Sequence, residues 1–333
     1  MTRLPLLALA LAASTACHEE VPLGAWEPSP VSGGGGGGVT SISSSISSAT
    51  DAGPGQGGDT GTSAGSIGLP ACREMKDPGP MNEPGIVFGA TETATDWTWP
   101  EPMTSIQWDL MVEEEIERAS PTAPPTSGYY WAHQFSFLEG IVGWLGIQAE
   151  GGYQPDPSEE LIFTKIAVFW LSGPPLSAEL GTIPYPDARV APQTAAGVSY
   201  MTIHALFDWQ ACRTYRFKLG SAGVEADGAT WYGAWIEDLD SGEETFLGRM
   251  LLPADSGPLA PYSMSRTLAI EFGQPTSCAV PAYSSALFGI PRTGENGVQA
   301  LLEANRFDVP LRCPSSRFTQ FESAVRHELG IRL

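Results

Sequence analysis

SIQWDLMVE, residues 105–113, decides the fold. Ile106, Trp108, Leu110 and Val112 fall on one side of an extended chain, and Gln107, Asp109 and Glu113 on the other. Strict alternation of this kind marks a strand with one buried face. The same period predicts strands at Ile86–Phe88, Tyr129–Leu138, Val142–Gln148, Leu161–Trp170, Tyr200–Phe207, Tyr215–Leu219, Thr230–Asp238, Thr245–Leu252, Arg266–Phe272 and Ala286–Ile290. Gly, Pro, Asn and Asp punctuate them, as in EDLDSGEE between Trp235 and Phe246. With almost no helical periodicity between them, such strands predict an all-β domain, an antiparallel β-sandwich of the jelly-roll kind. The tail departs from the pattern. In SSRFTQFESAVRHELG, residues 315–330, Phe318, Phe321, Val325 and Leu329 recur at helical spacing, and Thr319 with Glu322 has the form of a capping box. One short C-terminal helix is expected there.

The amino terminus, MTRLPLLALALAASTAC, has one Arg, an apolar run from Leu4 to Ala13 and small residues before Cys17. That is an export signal, too short in its apolar part to remain as a membrane span. Small residues directly before a Cys have the form of a bacterial lipobox, so residues 1–17 are expected to be removed or processed with lipid on Cys17; Ser14 stands where the strong form has Leu. Residues 18–71 follow, with a run of six glycines, many serines and no Lys or Arg. Such a composition buries too little apolar surface to offset chain entropy and reads as a disordered tether with an end-to-end distance of roughly 40 Å. Residues 72–333 form the predicted sandwich domain. The expected address is therefore outside the cytoplasm, on the outer membrane or cell surface with the membrane engaged through the lipid alone, or, without the anchor, secreted.

The chain has 17 basic and 38 acidic residues, a formal net charge of −21. No basic patch is available for a nucleic acid or an anionic membrane face. Once Cys17 carries lipid, an even four cysteines remain for an oxidising compartment: Cys72, Cys212, Cys278 and Cys313. They allow three pairings. The expected set joins Cys212 to Cys278 and Cys72 to Cys313, and a Cys72–Cys212 bridge would exclude it.

The succession YYWAHQFSF, GWLGIQ, AVFW, DWQACRTYRF, DGATWYGAWIEDLDSGEETFLGRMLLP and then Cys278 ahead of SSALFGIP resembles a bacterial domain family of exported proteins, over roughly Ile86 to Pro291. That family has no established activity. The resemblance implies a sandwich similar to the concanavalin-like lectins and glucanases, and it transfers no catalytic residue. One departure is visible: where the family's W-x-x-G-x-x-Y-R-F segment has Gly, this chain has Cys212.

Candidate site residues follow from the aromatic strands. In YYWAHQFSF, Tyr129, Trp131, His133, Phe135 and Phe137 share a face opposite Tyr130, Ala132, Gln134 and Ser136; Trp231, Gly233 and Trp235 share another. Aromatic side chains are the usual filling of a core. Because both sides of the first strand carry a ring, some aromatic surface is expected to remain outside. Trp131, His133, Gln134, Trp231 and Trp235 are the candidates for a non-enzymatic, lectin-like surface that binds glycan or cell-wall polysaccharide. A glucanase-like hydrolase or lyase, and a purely structural or protein-binding surface lipoprotein, are the alternatives. The long Pro- and Ala-rich connection Leu171–Ser199 is expected to form a rim.

No catalytic residue, metal or cofactor is expected. Gly61-Thr62-Ser63-Ala64-Gly65 has the nucleophile-elbow spacing but lies in the tether, away from any strand-to-helix turn. His327-Glu328 lacks the second His of a zinc helix, since residue 331 is Ile. Asp238, Asp240 and Glu243 have the order of glucanase acids, and their oxygens suit a hard cation, but Asp240-Ser241-Gly242 reads as a turn, which breaks the alternation a paired-carboxylate cleft requires. Replacing Cys17 by Ser is expected to release the protein from membranes on fractionation; a variant that stays lipid-labelled and membrane-bound would disprove the anchor.

Overall fold

The computed structural model describes residues 68–73, 87–88, 92–114, 127–154, 160–173, 182–184, 188–195, 198–271, 276–277, 283–294, 297–308 and 317–329. Its strands in chain order begin with β1 (Val87–Phe88), β2 (Glu92–Thr98), β3 (Ser105–Val112), β4 (Ser127–Phe137), β5 (Val142–Tyr153) and β6 (Ile162–Ser172). β7 (Thr182–Pro184), β8 (Ala188–Ala195), β9 (Val198–Leu206), β10 (Thr214–Val224), β11 (Thr230–Asp238) and β12 (Glu244–Leu252) follow. The chain ends with β13 (Leu259–Glu271), β14 (Thr276–Ser277), β15 (Ser284–Gly289), β16 (Leu301–Asp308), β17 (Arg317–Gln320) and β18 (Ala324–Leu329).

Two eight-stranded sheets carry the fold. Sheet I runs β17-β18-β15-β3-β10-β11-β12-β7 and sheet II runs β16-β2-β13-β4-β5-β6-β9-β8, while β1 and β14 form a small separate pair. Every neighbouring pair within the two sheets is antiparallel. The sheets face each other across one core, as a β-sandwich. Ile106, Trp108, Leu110 and Val112 point into it, as their alternation predicts, and are buried. So do Tyr129, Trp131, His133, Phe135 and Phe137 of β4, which meet sheet I ring to ring: Trp108 stacks on His133 with centroids 4.5 Å apart, and Phe137 meets Tyr232 edge-on at 4.7 Å.

Several polar groups sealed in this core are paired, although the Trp99 and Trp108 indole N–H groups find no hydrogen-bond partner among the described residues. The Trp131 indole N–H donates to Ser284 Oγ across the sheets (3.1 Å), and Trp97 donates to Ser265 Oγ (2.9 Å). His133 holds Ser263 Oγ at 2.7 Å and Ser265 Oγ at 3.2 Å through its two ring nitrogens. At the other end of the sandwich, Thr95 gives its hydroxyl proton to Asn305 and so accepts from His327 Nε2 (2.8 Å), leaving Nδ1 to accept from Thr267. Burial pushes both imidazoles down to about 3.

Three sequence expectations are corrected here. The C-terminal helix is absent: residues 317–329 form the hairpin β17–β18 at the edge of sheet I. Val325, His327 and Leu329 face the core at period two, with His327 packed against Phe288 and Phe318, and pairing with β15 supplies hydrogen bonds that an isolated helical turn would have to replace. The Leu171–Ser199 connection is not simply a rim, since β7 and β8 lie within it and pair with β12 and β9. Finally, the disulfide joins Cys72 to Cys212, with Cα atoms 5.4 Å apart, so neither expected pairing holds. Cys278 and Cys313 lie outside the described residues, as do Cys17 and the predicted processing site. Four residues assigned to the tether, 68–71, are described, and Leu69 packs on sheet I beside Cys72 and Phe321. Among the described residues no helix is long and apolar enough to cross a membrane.

Because the folded state refuses the protons that unfolded histidines accept below about 6.5, stability is lost as the pH falls from about 6.5 towards about 3. Each buried imidazole contributes about 1.4 kcal/mol per pH unit within that window. Urea denaturation of the His133→Gln variant between pH 6.5 and 5 should show a slope against pH shallower by about that amount; an unchanged slope would mean that His133 does not titrate on unfolding.

Candidate functional site

The outward face of sheet II carries a row of small residues across its centre. Ala94 on β2 and Ala132 on β4 flank Arg266 on β13, and Ala132 faces Gly146 on β5. A Cβ at residue 146 would come within 2.1 Å of the Trp131 carbonyl oxygen, so only glycine fits there. The long Arg266 side chain has this floor on either side. Its guanidinium grips both carboxylate oxygens of Glu92, donates to Gln134 Oε1, and sits over the Trp144 ring at 4.3 Å from the centroid.

Arginine has only donors, so it must meet the oxygen of the Gln134 amide. The Gln134 NH₂ group is thereby the one not engaged by Arg266; the residue is partly exposed, and this group has no protein partner among the described residues. Gln134 belongs to a second row on the same face, in the register Asp96, Met264, Gln134, Trp144, Trp170, Thr202. To one side stands an aromatic shelf: Tyr130 stacks on Trp144 (5.9 Å, 12°) and Trp144 meets Trp170 edge-on (6.4 Å). Tyr153, Ile166 and Val168 underlie this shelf as a small apolar layer separate from the main core. To the other side Asp96 accepts from the Tyr262 hydroxyl at 2.7 Å.

The five residues singled out by sequence do not converge. Trp131 and His133 are fully buried between the sheets. Gln134 is on the outer face of sheet II. Trp231 and Trp235 are on the outer face of sheet I, where Trp231 donates to Glu225 (2.6 Å) beneath the Arg249 guanidinium, and Trp235 lies over Gly233 beside Phe246. The pattern missed Glu92, Asp96 and Arg266. Their signal is isolated charge on the outward face of strands whose inward face is Thr, Ser or Trp, which simple apolar alternation passes over.

The glucanase-like acids form no cleft. Asp238 Oδ1 accepts the backbone N–H groups of Asp240 and Ser241 (2.9 and 3.3 Å), and Arg213 binds Oδ2 (2.8 Å). Burial would raise the Asp238 pKa, but these hydrogen bonds and the Arg213 charge hold it below the usual carboxylate range. Among the described residues no group of three His, Cys, Asp or Glu side chains is placed to hold a metal ion.

No family model and no curated protein matches the chain. Solved structures of similar shape include scytalido-glutamic peptidase with a peptide-based transition-state analogue, at TM-score 0.37 and 8% identity over 72% of this chain and 98% of that one. Another is SCP-B, a member of the eqolisin family of peptidases, in complex with the tripeptide Ala-Ile-His, at TM-score 0.36 and 7% identity over the same shares. No residue role is carried over from them. The expectation of a lectin-like surface built on Trp131 and His133 is corrected, because both side chains, which carried it, are sealed in the interior.

Replacing Arg266 by Met leaves the Glu92 carboxylate buried without a counter-charge, which costs about 3–5 kcal/mol. Chemical denaturation should show most of that loss recovered in the Glu92→Gln/Arg266→Met double variant. A single variant within about 1 kcal/mol of the parent would place the pair among exposed, inconsequential bridges.

Proposed function

We propose that the outer face of sheet II binds an extended polypeptide and hydrolyses it, with Gln134 donating to the scissile carbonyl oxygen and Asp96 acting as the base. The fixed orientation of the Gln134 amide carries this reading; the shape likeness to peptidases does not. A carbonyl oxygen only accepts, and the NH₂ of an amide held by a buried guanidinium is a preorganised donor for the charge that oxygen develops. In the step assigned to Asp96, a water adds to the carbonyl carbon while its proton passes to the carboxylate. The same proton then goes to the leaving nitrogen as the C–N bond breaks. Asp96 and Gln134 share a row two strands apart, about 10 Å between Cα positions, which leaves their heads room for a carbonyl and a water. The Trp144–Trp170–Tyr130 shelf lies beside Gln134 and fits a large apolar side chain next to the scissile bond.

Polysaccharide cleavage is less well supported on this face. Glu92 and Asp96 are four residues apart on one strand, about 13 Å, beyond the separation of either glycosidase geometry, and both oxygens of Glu92 belong to Arg266.

Jelly-roll winding is part of the same proposal, supported by the way the chain changes sheet between β2 and β3, β9 and β10, β12 and β13, and β15 and β16. Export and a lipid anchor at Cys17 are likewise proposed, on the leader sequence.

Incubation of the full chain with denatured casein and a short-peptide library between acid and neutral pH, read by mass spectrometry, should show cleavage beside large apolar residues. Gln134→Leu and Asp96→Asn should each lower kcat/KM roughly 100-fold or more without a matching loss of Tm. Equal cleavage by parent and Gln134→Leu, or neither cleavage nor peptide binding by the parent, would overturn the assignment.

A further inference from the structure

The segment Gly68–Arg73 lies across the outer face of sheet I as a strap. The Ser323 hydroxyl donates to the Gly68 carbonyl (3.0 Å), and Leu69 and Cys72 pack on the small apolar cluster of Met111, Leu287 and Ala324 with Phe321. The Arg73 N–H donates to Glu113 Oε1 (3.1 Å). Glu113 is itself sealed beside the strap. Arg326 holds both its oxygens, at 2.6 and 2.8 Å, Ser285 donates to it as well, and neither side chain of the pair is more than 1% exposed.

The strap's covalent fastening is Cys72–Cys212, and Cys212 is an exposed residue. It is also one of two non-glycine residues in the left-handed region among the described residues, at φ 63°. A Cβ is disfavoured in that conformation, which glycine adopts freely. The strain persists only while something holds the backbone there. Without the bond, the packing of Leu69 and the hydrogen bonds at Gly68 and Arg73 must hold the strap against a chain entropy of about 1–2 kcal/mol per residue.

We propose that Cys72–Cys212 is a redox-released clasp: reduction by a dithiol frees the strap and opens the Glu113–Arg326 pair to water while the sandwich stays folded. A thiolate of the dithiol attacks the exposed Cys212 sulfur, the S–S bond breaks, and Cys72 leaves as a thiolate that takes up a proton. The second thiol of the reductant then displaces Cys212 as a thiolate, which is protonated in turn. The dithiol becomes a disulfide, and the protein gains two electrons and two protons.

Hydrogen exchange on the full chain with and without dithiothreitol tests this. On reduction, the Arg73 amide should exchange roughly 100-fold faster while the amides of β3 and β10 stay protected. The Cys72→Ser/Cys212→Gly variant should behave like the reduced protein without reductant, which separates the effect from any bond made by Cys278 or Cys313. Unchanged protection at Arg73 in that variant, or loss of protection throughout β3 and β10, would overturn the proposal.

Discussion

The inward ridge of β4 is the constraint on which the sandwich depends. Five side chains, Tyr129, Trp131, His133, Phe135 and Phe137, fill the space between two eight-stranded sheets from the middle of one of them. Three of them, Tyr129, Trp131 and His133, also carry polar atoms that are costly to seal away unpaired. Trp131 finds Ser284 on the facing sheet, and His133 finds Ser263 and Ser265 on the neighbouring strand. A buried donor without a partner costs about 1–3 kcal/mol. The Trp131 bond therefore fixes which residue of sheet I stands opposite β4, and the His133 bonds fix the register of β4 against β13, where apolar contact alone would tolerate a slip. The aromatic stretch that resembles a ligand platform in sequence is the inner wall that sets the register.

Once β4 faces inward, what its neighbours present outward is decided too. Each sheet then shows a guanidinium–carboxylate fork sunk deep into its outer face, Glu113–Arg326 on sheet I and Glu92–Arg266 on sheet II, and sheet I carries a second, less buried fork at Asp109–Arg216. Such pairs are poor devices for stability alone, because desolvation offsets most of the attraction. The two deep pairs differ in surroundings. The one on sheet I is sealed beside the strap, where Glu113 also accepts from Ser285 and the Arg73 N–H and Arg326 Nη1 is left without a hydrogen-bond partner among the described residues. On sheet II, Arg266 retains a third contact, to Gln134, and lies against a partly exposed aromatic shelf. A buried charge that aims a partly exposed amide is the arrangement expected of a site, and this is why sheet II and not sheet I is assigned the function.

The strands that alternation predicted most directly are those with one apolar and one polar face, such as β3 and β10. β2 was invisible to that test. In ETATDWT the inward residues are Thr93, Thr95 and Trp97, and the outward Glu92 and Asp96 are nearly as buried as they are, so hydrophobicity does not mark either face. β18 misled for a related reason. AVRHEL is buried along its whole length, and the spacing of Phe318, Phe321, Val325 and Leu329 matches a helix only because a turn at 321–323 separates two short strands. The candidate site was legible to the extent of Gln134. Its meaning lies in Arg266, which the sequence places more than a hundred residues away and which only the β4–β13 pairing brings alongside.

Cys212 shows how a local rule can fail and be informative in failing. Glycine is the residue that backbone prefers there, and a side chain costs about 1–2 kcal/mol. A disulfide closing a loop of 140 residues contributes more than that, roughly 4–5 kcal/mol in the chain-entropy account. The exchange is therefore favourable only while the bond exists, and in a reducing environment the same cysteine is a net liability. The substitution ties the fit of this position to redox state, whereas glycine would have made it indifferent.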